Sequence, residues 1–121
     1  MKNVVVVPIF NNEYKVICTW GDEKQWRRAA RSYHHHIVPG DDVLNGRHGV
    51  TLVTPGYHPL IVLHKFPKLP DEIATLAHEA VHAVEAIFEY KKIPAGGEIF
   101  ADAVGAVVRI VLQNPPKKVK K

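Results

Sequence analysis

The sequence predicts an α+β domain with a small sheet built first and a pair of helices added behind it. Three observations lead there. The first 65 residues hold short runs of β-branched residues broken by turn-formers, residues 71–112 carry apolar residues at spacings of 3 and 4, and the change of period falls at Pro67 and Pro70. Residues 4–10 read as a strand, Asn11-Asn12 as a turn and residues 14–20 as a second strand, with Pro8 marking the first as an edge or a bulged strand. Asp22 is placed to cap a short helix through Arg31 whose inner side carries Trp26, Ala29 and Ala30. Residues 33–47, with Pro39, Gly40, Asn45 and Gly46, read as a loop. Residues 49–54 and 59–65 form a second hairpin around Pro55-Gly56-Tyr57-His58.

Asp71 is the expected cap of the first long helix, which carries Ala77, Ala80, Val81, Val84, Ile87 and Phe88 on one stripe and ends near Lys91-Lys92 before Pro94. Gly96-Gly97 opens a second helix over residues 98–112, with Ile99, Ala103, Ala106, Val107 and Ile110 facing inward, and Pro115-Pro116 stops it. One domain over residues 1–114 and a basic tail over 115–121 follow. A chain of 121 residues with 46% apolar and 23% charged residues fits a single globular core and excludes a disordered or collagen-like chain.

The net charge of +4 comes from Lys117, Lys118, Lys120 and Lys121, since residues 1–116 hold as many acids as bases. A nucleic-acid binder carries its basic excess on a folded face, so the tail reads as solubilising and nucleic acid is not the expected partner. A nucleic-acid accessory role through the lysine tail is the weakest of three readings. Cys18 is the only cysteine, which excludes an intrachain disulfide and a cysteine-based zinc cluster and fits a small core residue. No run approaches the ~20 apolar residues of a membrane span, and residues 4–7 are too short for a signal-peptide core, so a cytoplasmic setting is the expectation.

The chemistry concentrates in His78-Glu79-Ala80-Val81-His82. Two histidines four apart stand one turn above each other and can converge on one divalent ion, while the glutamate between them can hold a water on that ion. Thr75, His78, His82, Glu85 and Glu89 form a polar stripe beside the core stripe, which places the ion in a cleft at the edge of the core. With 8 His in the chain, only about 0.03 such pentads arise by chance. A catalytic zinc commonly has three protein ligands. Glu98 is the expected third, with Asp102 one turn later accepting the second ring N–H of a ligand histidine; the exchange of those two roles is the alternative.

His78-Glu79-x-x-His82 followed by Glu98-x-x-x-Asp102 resembles the gluzincin clan of zinc metallopeptidases, above all its minimal, minigluzincin-like form. The resemblance spans residues 59–112. It implies a compact zincin-like fold, one Zn2+ per chain held by His78, His82 and Glu98, and a peptide or protein substrate. Glu79 would be the catalytic base of an endopeptidase, passing the water proton to the leaving amine. It also implies that residues 59–64 are a sheet edge that pairs with an extended substrate, against the alternative of an ordinary core strand. The clan's oxyanion-stabilising residue has no match here, and Tyr90, Tyr57, His58 and His64 are candidates by position in the chain alone. The competing reading is a non-catalytic zincin-like interaction module whose zinc staples a small core. His34-His35-His36 reads as a solvated run, His48 as loop surface, and Trp20 and Trp26 as core. Neither substrate nor oligomeric state is legible.

Overall fold

A computed structural model describes residues 3–37 and 40–116. Pro39 and the lysine tail from Lys117 onward lie outside the described residues. Strand β1 (Val4–Ile9) and strand β2 (Tyr14–Trp20) form an antiparallel hairpin with Val7 opposite Val16. Asn11 and Asn12 turn it with φ of 53° and 70°, a left-handed conformation that asparagine tolerates better than most residues. Helix α1 (Glu23–Ser32) follows, and Asp22 caps it as expected: its carboxylate accepts from the Gln25 N–H at 3.0 Å while the Gln25 side chain accepts from the Asp22 N–H at 3.1 Å.

The second hairpin joins β3 (Gly49–Leu52) to β4 (Leu60–Leu63), with Thr51 opposite Ile61. The two hairpins merge into one four-stranded sheet in the order β1-β2-β4-β3 through a parallel β2–β4 pairing that sets Ile17 beside Leu60. This confirms an α+β fold, and it decides which strands are edges. β4 is interior, so residues 60–63 are a core strand and the free edge on that side belongs to β3. The reason is visible in Leu60-Ile61-Val62-Leu63, a continuous apolar run buried on both faces. Ile61 and Leu63 join Val16, Cys18 and Trp20 beneath the long helices, while Leu60 and Val62 join Ile17, Trp26 and Ala30 beneath α1. β1, carrying Pro8, is the other edge, where a missing N–H costs no ladder bond.

Helix α2 (Pro70–Lys91) and helix α3 (Gly97–Leu112) cover the first of these faces. Asp71 is not the cap. Pro70 occupies the first turn, and Glu72 turns back to accept the N–H groups of Lys68 and Leu69 at 3.0 and 2.9 Å. The buried side of α2 is Leu76, Ala80, Ala83, Val84, Ile87 and Phe88, rotated from the expected stripe, with Ala77 and Val81 only partly covered. In α3 the core side is Phe100, Ala103, Val104, Val107 and Val111, and Ile99 stands 67% exposed instead of facing inward. An alanine at every third position of α2 and a valine-rich α3 leave the phase of each helix weakly marked. Gly96 and Gly97, at φ of 122° and 75°, let the chain reverse into α3 within the five residues 92–96.

Candidate active site

Glu79, His78 and His82 occupy the middle of α2, where the helix passes over β3. Glu79 is the only charged side chain buried among the described residues, at 8% exposure. Its Oε1 accepts the Thr51 hydroxyl at 2.8 Å, and the same hydroxyl lies 3.0 Å from the Glu79 carbonyl oxygen. β3 can come this close because it starts with Gly49. A Cβ there would stand 2.9 Å from Leu63 Cδ2, 3.0 Å from Thr75 Cγ2 and 3.4 Å from Glu79 Cγ. The edge strand and the carboxylate are thus fitted to each other.

The two imidazoles converge. His78 Nε2 and His82 Nε2 are 3.1 Å apart, within hydrogen-bond distance of each other. Donors of a tetrahedral ion with bonds of ~2.05 Å are separated by about 3.3 Å, so the pair fits chelation of zinc with little adjustment. Glu79 Oε2, the oxygen not held by Thr51, lies 3.9 Å from His78 Nε2. His82 Nδ1 faces Glu85 Oε1 at 3.7 Å. Glu85 therefore stands where the sequence reading placed Asp102, as the carboxylate behind a ligand histidine. The i,i+3 spacing from His82 was its signal. The histidine rings are 69% and 53% exposed, so the site lies on the open face of α2 beside the β3 edge and not in a cleft at the edge of the core.

Glu98 and Asp102 are exposed on α3 and are not brought to this pair; no group of three or more His, Cys, Asp or Glu side chains placed to hold a metal ion occurs among the described residues. Two features of the packing keep them apart. Phe88 meets Phe100 of α3, and at about 100° per residue His78 and His82 stand about 80° and 120° around α2 from that contact. Phe100 beside Phe88 also sets the start of α3 about six residues beyond His82, or ~9 Å along the axis.

The expected oxyanion candidates divide. His64 is exposed just past β4, its N–H donating to the His48 carbonyl at 2.9 Å. Tyr57, Tyr90 and His58 instead line a cavity of about 480 Å3 at the end of the sheet where β3 finishes and β2 and β4 begin. His35, expected in solvent, is buried there. Its Nε2 lies 2.6 Å from the His58 carbonyl and its Nδ1 lies 3.0 Å from the Thr54 hydroxyl, while His34 stacks on Tyr57 at 5.0 Å. Burial holds the His35 imidazole below its ordinary pKa, the His58 hydrogen bond working against that shift and the charge of His34 with it. His58 is likewise lowered by burial and by the charge of Lys15, whose N–H donates to His58 Nδ1 at 3.2 Å. Nothing in the triplet marked its middle member as the buried one, because the groups that enclose His35 come from residues 54–58.

Among the described residues no helix is long and apolar enough to cross a membrane. Comparison with protein-family models, curated proteins and solved structures gives no match for the chain.

Proposed function

We propose that the chain is a small metal-dependent endopeptidase of the gluzincin kind, working in the cytosol on peptide or protein substrates. The observation that carries the reading is a buried carboxylate, Glu79, bonded on one oxygen to the edge strand and with the other 3.9 Å from His78, one of two converging imidazoles. His78 and His82 would hold the ion, taken to be one Zn2+ per chain. When bound, such an ion lowers the pKa of a coordinated water and polarises a carbonyl.

The chain's own groups supply the rest. Thr51 fixes Glu79 Oε1, so Oε2 is the atom that takes the water proton and returns it to the departing amine. Glu85, with Oε1 3.7 Å from His82 Nδ1, would orient that ring by closing onto its second N–H. The outer edge of β3 has unpaired backbone groups to which an extended peptide can add as a further strand, beside the glutamate that Thr51 holds. Glu98 is retained as the third ligand on the resemblance alone, and binding tests its part directly. The staple reading depends on Glu98 as well, since two exposed rings on one helix by themselves tie no second element to it.

Elemental analysis and a quenched-fluorescence peptide assay test the proposal. The wild-type chain should carry about one zinc, His78→Ala and His82→Ala should lose it, and Glu79→Gln should keep it while hydrolysis falls by at least ~10²-fold. Undiminished hydrolysis by Glu79→Gln, or zinc retained by both histidine variants, would overturn the reading. Zinc affinity unchanged in Glu98→Gln would remove Glu98 from the ligand set.

A further inference from the structure

The cavity at the end of β3 is not used by the chemistry above, and its lining has a definite character. Its walls carry the rings of Tyr14, Tyr57 and Tyr90, the apolar side chains of Val53 and Ile87, and the carboxylate of Glu89. Val53, Tyr57 and Tyr90 are three of the large apolar residues that the fold leaves exposed, and all three meet here. The Glu89 side chain makes no hydrogen bond or ion pair among the described residues. No lysine or arginine among the described residues lines the cavity, and its second acid, Glu13, is already paired with Lys91 at 2.7 Å. The wall is also built to keep its shape. Buried His35 ties the segment at Thr54 and His58, and the Tyr57 N–H closes a turn onto the Thr54 carbonyl at 3.0 Å.

Aromatic faces joined to an unpaired carboxylate recognise a cation carried on an apolar stem. The chain already shows this chemistry at the rim. Lys91 Nζ sits 5.2 Å from the Tyr14 ring centroid and 5.0 Å from that of Phe10 while it pairs with Glu13. Position supplies the rest. Thr51 and Val53 lie on one face of an extended segment, ~7 Å apart, so the cavity opens about two residues along from the side chain that holds Glu79.

We propose that this cavity receives an arginine side chain of an extended peptide lying along the outer edge of β3, and so selects substrates with a basic residue about two positions from the cleaved bond. The proposal rests on the peptidase reading for the peptide's path, but its binding arm does not require hydrolysis. β3 runs toward the cavity, and antiparallel addition, the more stable pairing, puts the peptide's N-terminal part there. The arginine therefore lies on the N-terminal side of the bond. Tyr57 and Tyr90 hold the guanidinium plane and stem, Tyr14 being already covered by Lys91, and Glu89 pairs with its charge.

The test uses the full chain carrying Glu79→Gln, with zinc added, and fluorescence anisotropy. The probes are a fluorescein-labelled alanine-based hexapeptide with one internal arginine and its twin with citrulline, which keeps the shape and removes the charge. The arginine peptide should bind at least ~10-fold more tightly. Adding Glu89→Gln should reduce the preference below ~3-fold, whereas Asp71→Asn, at the far end of α2, should leave it intact. Equal binding of the two peptides, or equal effects of Glu89→Gln and Asp71→Asn, would overturn the proposal. Mass spectrometry of products from the wild-type chain separates the two readings. A preference for arginine without cleavage would sink the peptidase and leave the cavity assignment standing, and cleavage without the preference would do the reverse.

Discussion

Replacing Thr51 with valine keeps the strand-forming shape of the side chain and removes only the hydroxyl that reaches Glu79. The bond lost is 2.8 Å long and ends on a carboxylate that is 8% exposed, so solvent cannot replace it fully. Hydrogen bonds to charged groups contribute about 1.5–3 kcal/mol, and leaving one partner buried costs at the upper end of that range. For a chain of this size the melting temperature should fall by roughly 5–15 °C, at about 3–5 °C per kcal/mol. Packing is separated from bonding by a double-mutant cycle with Glu79→Ala, followed by urea unfolding at pH 7. Thr51→Val should still cost about 0.5–1 kcal/mol once the Glu79 carboxylate is gone, because the hydroxyl also reaches the carbonyl of residue 79 at 3.0 Å, giving a coupling of about 1–2 kcal/mol. In a peptidase the same variant should lower kcat with KM nearly unchanged, because Thr51 positions the base and does not bind the substrate. A coupling near zero would refute the reasoning, as it would show that β3 and the carboxylate do not communicate in solution.

Gly49→Ala should destabilise the fold by about 1–3 kcal/mol in urea titrations. The new methyl meets Leu63, which is buried, and Thr75, whose hydroxyl is held at 3.1 Å by the Asp71 carbonyl; an unchanged midpoint would mean that β3 does not press on α2. Stability should fall as pH drops below ~6.5. The unfolded chain takes up protons on His35 and His58 there while the folded chain resists them, so the unfolded state binds more protons until the lowered folded values are passed. The urea midpoint at pH 5.5 should lie below that at pH 7.5, with a smaller difference in His35→Gln; a pH-independent midpoint would contradict this. Burial of Cys18 raises its thiol far above the ordinary range, so Ellman's reagent should label it only at the rate of unfolding, and a fast native-state reaction would show the core to be open.

Much of this protein is written in neighbouring residues. The bounds of β2, the Asp22 cap, the extent of both long helices and the stacking of His78 over His82 depend on periods of 2 and 3.6 and on caps a few residues long. Such features survive being read without tertiary context. The phase of α2 and α3 is not such a feature, because alanine and valine on several sides leave no sharp polar boundary, and Ile99 stands exposed where the stripe pattern predicts it inside. Other features needed contacts between distant segments. Thr51 reaches Glu79 across 28 residues, and His35 is enclosed by residues that lie about 20 positions later. Only the pairing of β4 between β2 and β3 makes β3 the edge, and only the packing of Phe100 on Phe88 sets where α3 starts beside α2. Local geometry thus decided which elements form and which side chains share a turn. The sides those elements present to one another followed from how the whole chain removes its apolar surface from water, which no short window of sequence contains.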